Sequence, residues 1–223
     1  MTKRIAVSFL MGATMMAGAA EAKTETPKWS PQSGDVIQFD VLRQGKPFGS
    51  HTVSFDRDAD GRLIARSKVD LKAGLGPITL FRYNLDATEV WQDGELVSLE
   101  GRVNDDGEKG QVEAEREGKM LDVNGTEFQG DVDGKILPSS HWNFAQTRAS
   151  ELLSTEDGEI LKVSVSDQGI ETIEAAGEPI QATKYLMDSD IDVTLWYDEA
   201  GRWVKLAFTA RGQNIEYVLT NSY

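Results

Sequence analysis

From Asp35 onward, apolar side chains recur at every second position, run after run, with turn residues between the runs. Ile37, Phe39 and Val41 alternate with Gln38 and Asp40, and Gly49, His51, Val53 and Phe55 share the next inward parity. The same rhythm returns late in the chain at Leu161, Val163 and Val165, at Ile191, Val193, Leu195 and Tyr197, at Val204, Leu206 and Phe208, and at Ile215, Tyr217 and Leu219. A period of two puts one face of each segment in a core and the other in water, which is the signature of half-buried antiparallel strands. Turns rich in Gly, Asp and Asn separate them, at Gln44 to Pro47, Asp58 to Gly61, Gly74 to Pro77, Asp93-Gly94, Asp105 to Gly110, Glu117-Gly118 and Asn124-Gly125. The expected fold is therefore all-β, an antiparallel meander of about 12–14 strands. So many strands cannot lie flat, and the sheet is expected to curl into an open or spiral barrel.

One segment breaks the alternation. Between Ser140 and Ser154, Ala145, Ala149, Leu152 and Leu153 fall on one helical face. A short amphipathic helix near 143–153 is expected, capped by Ser139, Ser140 or Asn143, lying across the sheet or plugging its open end.

The first 22 residues obey different rules. Lys3 and Arg4 open the chain, Ile5 to Met16 is uncharged and mainly apolar, and Ala20-Glu21-Ala22 places small residues where a signal peptidase reads them. That pattern is a secretory signal peptide, too short for a permanent membrane span. The expected organisation is a signal peptide at 1–22, a tail at 23–34 and a single β-barrel-like domain at 35–223. Removing the signal takes away Lys3, Arg4 and Glu21 and moves the net charge from −14 to −15. Such acidity argues against nucleic acid and anionic membrane surfaces as partners of the molecule as a whole. The chain has no cysteine. Disulfides, thiolate nucleophiles, Fe–S clusters and a lipidated anchor are thereby excluded, and an exported domain must be stable on its β core alone. The expected product is a soluble periplasmic monomer without a transmembrane segment.

Several short motifs follow one another in order: Tyr83, Glu89-Val90-Trp91-Gln92-Asp93-Gly94, Asn104-Asp105-Asp106-Gly107, Ser140-His141-Trp142-Asn143 and Leu195-Trp196-Tyr197-Asp198. Together they resemble a domain-of-unknown-function family of exported alphaproteobacterial proteins, over essentially the whole mature chain. The resemblance implies an all-β periplasmic domain and brings no activity with it. At fold level only, the chain also resembles the lipoprotein carriers and the spiral β-barrels of envelope-integrity factors.

Asp56-Arg57-Asp58-Ala59-Asp60-Gly61 opens like a calcium loop, but its twelfth position is Ser67 where a bidentate Glu belongs. An Asp-rich hairpin turn is the better reading, and no metal or cofactor is expected. Asn124-Gly125 reads as a type I′ hairpin turn. Two ionisable residues carry inward parity: His51 beside Val53 and Phe55, and Glu89 beside Phe81, Tyr83, Leu85 and Trp91. A buried carboxylate costs several kcal/mol unless partnered or protonated, so Glu89 requires donors, such as an Arg, a His or an indole N–H. It reads either as a polar plug at one end of the barrel or as an anchor in a ligand cavity. Ser140-His141-Trp142-Asn143 is the densest polar–aromatic cluster. Neighbouring residues on an extended chain point to opposite sides, and no Gly-x-Ser-x-Gly elbow is present, so a catalytic Ser–His pair is not expected.

These residues support a non-catalytic binding module for a small apolar or amphipathic, lipid-like ligand. The candidate binding residues are His51, Tyr83, Glu89, Trp91, Ser140, His141, Trp142, Asn143, Trp196 and Tyr197. Gly49, Ala87, Gly101, Ala114 and Ala182 leave room inside, whereas inward aromatics such as Phe55, Phe81 and Phe208 fill it. The alternative is an envelope factor with a filled barrel that binds another exported protein.

Overall fold

The computed structural model describes residues 29–75 and 78–221. The expected signal peptide and residues 23–28 of the expected tail lie outside the described residues. Eight strands form a first meander: β1 (Val36–Arg43), β2 (Lys46–Arg57), β3 (Leu63–Leu75), β4 (Ile78–Gln92), β5 (Glu95–Asp105), β6 (Glu108–Glu117), β7 (Met120–Gly125) and β8 (Gln129–Asp133). Five more form a second: β12 (Ser164–Ala175), β13 (Glu178–Asp188), β14 (Val193–Asp198), β15 (Trp203–Ala210) and β16 (Gln213–Leu219). Between them β9 (Leu137–Pro138), β10 (Glu151–Leu153) and β11 (Ile160–Lys162) make a small separate sheet.

The two meanders join through their ends. β16 pairs antiparallel with β1, matching Phe39 with Leu219 and Val41 with Tyr217. The result is one 13-stranded sheet with β12 and β8 at its edges, and these edges do not pair, so the barrel stays open. All strand pairs in the large sheet are antiparallel, as the alternation requires. Parity is visible in burial: Ile37, Phe39 and Val41 are fully buried on β1 while Gln38 and Asp40 face water.

The curl is recorded by contacts between strands far apart in the sheet. Arg211, at the β15–β16 turn, donates to Asp105 Oδ2 at the end of β5 over 2.8 Å, although β1 to β4 lie between those hairpins. Residues 137–158 lie within the concavity. Trp142 packs edge-on against Phe55 of β2 and Trp91 of β4, at centroid distances of 5.2 and 5.6 Å. A few residues on, Phe144 meets Tyr197 of β14 and Tyr185 of β13, at 5.1 and 5.9 Å.

Two expectations need correction here. The helix expected over 143–153 is a five-residue 3-10 helix, Phe144–Arg148, capped by Asn143, whose side-chain oxygen accepts from Ala145 N over 3.0 Å. Ala149 is already extended, and Leu152 and Leu153 belong to β10, which pairs with β9 and β11. Both leucines are buried because a strand sandwiched between layers has no solvent face. Two adjacent buried residues after a single turn then mimic helical spacing. Ala145 is exposed, and Gln146 is the side chain that this helix buries.

Asn124-Gly125 is not a two-residue turn either. Gly125 ends β7, its N–H donates to Phe128 O, and the turn lies beyond it. A Cβ on Gly125 would overlap the Asp157 carbonyl, so close approach of the inner segment explains the glycine. The Asp56–Gly61 turn is the hairpin turn expected. Asp58 Oδ1 accepts from the backbone N–H groups of Asp60 and Arg62, and its Oδ2 accepts from Arg62 Nε at 2.7 Å. The β14–β15 turn repeats this construction with Asp198, Ala200 and Arg202. Asp58-Ala59-Asp60-Gly61-Arg62 and Asp198-Glu199-Ala200-Gly201-Arg202 are one local design used twice.

Candidate functional site

Glu89 sits at the centre of the inner segment's contact with the sheet. It faces inward from β4, flanked in register by Ala65 of β3 and Leu99 of β5, and is 1% exposed. Its Oε2 accepts two indole N–H groups, from Trp91 at 2.8 Å and from Trp142 at 3.1 Å. Ser140 is the third polar group beside the carboxyl. Neither its hydroxyl nor Glu89 Oε1 makes a hydrogen bond of normal geometry. Burial pushes the Glu89 carboxyl up to about 7, against the lowering effect of Ser140, Trp91 and Trp142. Among the described residues its hydrogen-bond donors are neutral, which leaves burial to favour the protonated acid.

A second polar network lies on the other side of the same segment. Gln146, fully buried, links His141 Nδ1 (3.0 Å) to the Tyr197 hydroxyl (2.6 Å), and that hydroxyl donates back to the His141 carbonyl over 2.7 Å. His141 itself has φ = 65°, an unusual conformation for a residue with a side chain, which turns Ser140 and Trp142 toward Glu89 while its own ring goes to Gln146. Burial lowers the imidazole's pKa and raises that of the Tyr197 phenol.

His51 occupies a different kind of setting. It is 6% exposed and surrounded by rings, with Trp203 at 5.3 Å, Tyr217 at 5.6 Å and Phe39 at 6.4 Å. Neither ring nitrogen has a hydrogen-bond partner. Burial, with a smaller contribution from His141, drives its pKa down to about 3. Further along, the Tyr83 hydroxyl donates to Glu156 Oε1 over 2.8 Å, and burial raises the pKa of both groups.

The ten candidate residues therefore do not form one site. Glu89, Trp91, Ser140 and Trp142 come together, as do His141 and Tyr197, while His51 meets the Trp203 ring that His141 also touches and Tyr83 pairs with Glu156. Asn143 is spent on capping the 3-10 helix. Trp196 is a correction. Next to the inward Tyr197, it lies on the outer face of β14, its ring between Lys184 at 5.4 Å and Lys205 at 5.2 Å and its Nε1 on Glu171 at 2.5 Å. The lysine stems bury it, so its burial has nothing to do with the interior. Gln146 and Glu156 escape the reading of the sequence because each lies in the segment without alternation, where parity says nothing about which way a side chain faces.

The room that small inward residues promised is occupied by the chain itself. A Cβ on Gly101 would overlap the Thr155 carbonyl oxygen, and the Glu156 and Asp157 backbone covers Gly110 and Gly125. Ala87, Ala114 and Ala182 are buried. Among the described residues no group of three or more His, Asp or Glu side chains is placed to hold a metal ion, and no helix is long and apolar enough to cross a membrane.

The model of a domain of unknown function, DUF6134, matches residues 39–220. The chain belongs to that family. Its fold is similar to the crystal structure of a beta-barrel-like protein of another domain of unknown function, DUF1849, from Brucella abortus. That likeness has a TM-score of 0.56 at 10% identity and covers 82% of this chain and 94% of that one. At such identity it speaks for the curled all-β architecture alone. No curated protein matches the chain. The unnamed-function family expected from the ordered motifs, and its barrel-like fold, are thus both found.

Proposed function

We propose that this DUF6134 member is a non-catalytic, exported envelope protein that works through its outer surface, its interior being closed by its own chain. The observation that carries this reading is the inner segment. Trp142 donates into the Glu89 carboxyl and packs between Phe55 and Trp91, where a ligand headgroup would otherwise sit. The backbone of 155–158 covers the glycines of β5, β6 and β7. The absence of catalysis is supported by the divergence of Ser140 and His141, one directed to Glu89 and the other to Gln146. Export rests on the basic, apolar and small-residue succession of the first 22 residues.

Native mass spectrometry of the exported protein, followed by solvent extraction, tests this. The expected result is the bare mass of the processed polypeptide. A stoichiometric small molecule would overturn it in favour of a carrier for an apolar or amphipathic ligand. One feature favours that second reading: an open groove of about 1050 Å³ at the β12–β13 and β14–β15 turns, with Ile180, Val204 and Leu219 on its floor and Glu178 on its rim.

A further inference from the structure

Among the described residues the β3–β4 hairpin is the longest, with strands of 13 and 15 residues. Pairing with β2 stops at Leu71 and pairing with β5 stops at Tyr83, yet the hairpin's own ladder continues to Leu75 and Ile78. Polar residues would serve a purely structural turn better. Instead the sequence from Ala73 to Phe81 carries no charge. Leu80 is 67% exposed, the most exposed large aliphatic side chain of this region, and Phe81 is half-buried against Phe48, with ring centroids 5.7 Å apart.

Basic side chains ring this apolar end. Lys72 and Arg82 are exposed and face one another in register across the hairpin. Arg211, from the β15–β16 turn, lies over the Phe81 ring at 5.4 Å, and Arg43, from the end of β1, lies over the Phe48 ring at 5.2 Å. Lys46 is exposed in the adjoining β1–β2 hairpin. The acids nearby include Asp105, paired with Arg211, Asp106, Glu108 across from Asp105, and Asp70, two residues from Lys72 on the same face of β3. On a chain with a net charge of −14 this is a local reversal of sign. The opposite part of the same end is acidic: the other strongly exposed aliphatic there, Ile191, sits between Asp190 and Asp192.

We infer that the exposed Leu80 of β4, with the basic side chains Arg43, Lys46, Lys72, Arg82 and Arg211 on its own and the adjoining hairpins, docks the protein onto an anionic phospholipid bilayer. The chemistry matches in both layers of the membrane interface. Leu80 and the edge of Phe81 enter the acyl boundary, while the cations reach phosphates at headgroup level. Net acidity opposes nucleic acid and membranes only on average, and within a Debye length the local patch decides. The inference rests on the reading that the protein acts through its outer surface and supplies the partner for one part of it.

Co-sedimentation of the exported protein, its N-terminus verified by mass, with vesicles of phosphatidylcholine alone or with one third phosphatidylglycerol tests the assignment. Binding is expected to the anionic vesicles, weaker in high salt. Each near-surface basic side chain is worth about fivefold, so Lys72→Glu with Arg82→Glu should weaken it by about 25-fold or more. Leu80→Glu should weaken it about tenfold or more. Lys162→Glu, outside the patch, should leave binding unchanged, and every variant should keep the parent's urea midpoint because these side chains are exposed. Equal binding to neutral and anionic vesicles, no binding to either, or parental binding by the double reversal would overturn the assignment. So would a dimer in light scattering that Leu80→Glu dissolves, which would give the surface to a second copy. A failure here leaves the native-mass result standing, and a bound small molecule there leaves vesicle binding to be judged by itself.

Discussion

On β4, Glu89 accepts hydrogen bonds from two indoles; on β2, His51 has the same inward parity and offers two ring nitrogens to nothing but aromatic rings. Both are buried ionisable groups in one sheet, yet they respond oppositely to pH. The Glu89 carboxyl, near 7 in the fold against an ordinary 4.5, binds its proton more tightly when folded. Its stabilising effect is complete below pH 4.5 and is lost as pH rises to 7, by roughly 3 kcal/mol. His51, near 3 against 6.5, binds its proton less tightly when folded. Its neutral form is tolerated above pH 6.5, and stability falls as pH drops from there toward 3. The difference teaches that parity predicts burial, whereas the neighbours decide whether burial makes a structural joint or a liability. Glu89 joins the inner segment to the sheet; His51 joins nothing.

Five substitutions sharpen or break that contrast. Glu89→Ala leaves two buried indole N–H groups without an acceptor and opens a cavity, so a loss of about 4 kcal/mol in urea unfolding at pH 6 is expected. Glu89→Gln keeps an acceptor and removes the titration. It should match or exceed the parent at pH 8, and an unchanged slope between pH 4.5 and 7 would show that Glu89 is not the titrating group. Gly101→Ala, next in size, drives a methyl into the Thr155 carbonyl and should cost about 3 kcal/mol by displacing the inner segment. Were it neutral, that segment would not be held against β5. His51→Leu removes two orphaned buried nitrogens and is expected to gain about 2 kcal/mol while flattening the loss of stability below pH 6.5. A destabilised variant with its acid sensitivity intact would mean that His51 has a partner after all. Tyr197→Phe breaks the bridge to Gln146 and the His141 carbonyl, for about 1 kcal/mol, read as the shift in urea midpoint at constant slope.

The strands, their order within each meander, and the burial of Glu89, His51, Trp91 and Tyr197 are all legible in the alternation. Trp196 was legible too, since it stands next to Tyr197 and must face the other way. Its burial under Lys184 and Lys205 is a feature of neighbouring strands, which no single segment records. The inner segment was legible only as a loss of period. A 3-10 turn followed by a strand buried on both faces has no periodicity of its own, so Gln146 and Glu156 carried no mark.

The sequence alone determined a cysteine-free all-β meander, because a period of two and well-spaced turns leave each strand one way to face and short loops one way to pair. Only the tertiary structure decided that β16 closes onto β1, that residues 137–158 fill the concavity, and that Arg43 and Arg211, from separate hairpins, lie over Phe48 and Phe81. Those are long-range choices. They depend on how far the sheet curls, and curl is the sum of small twists over 13 strands that no local pattern encodes.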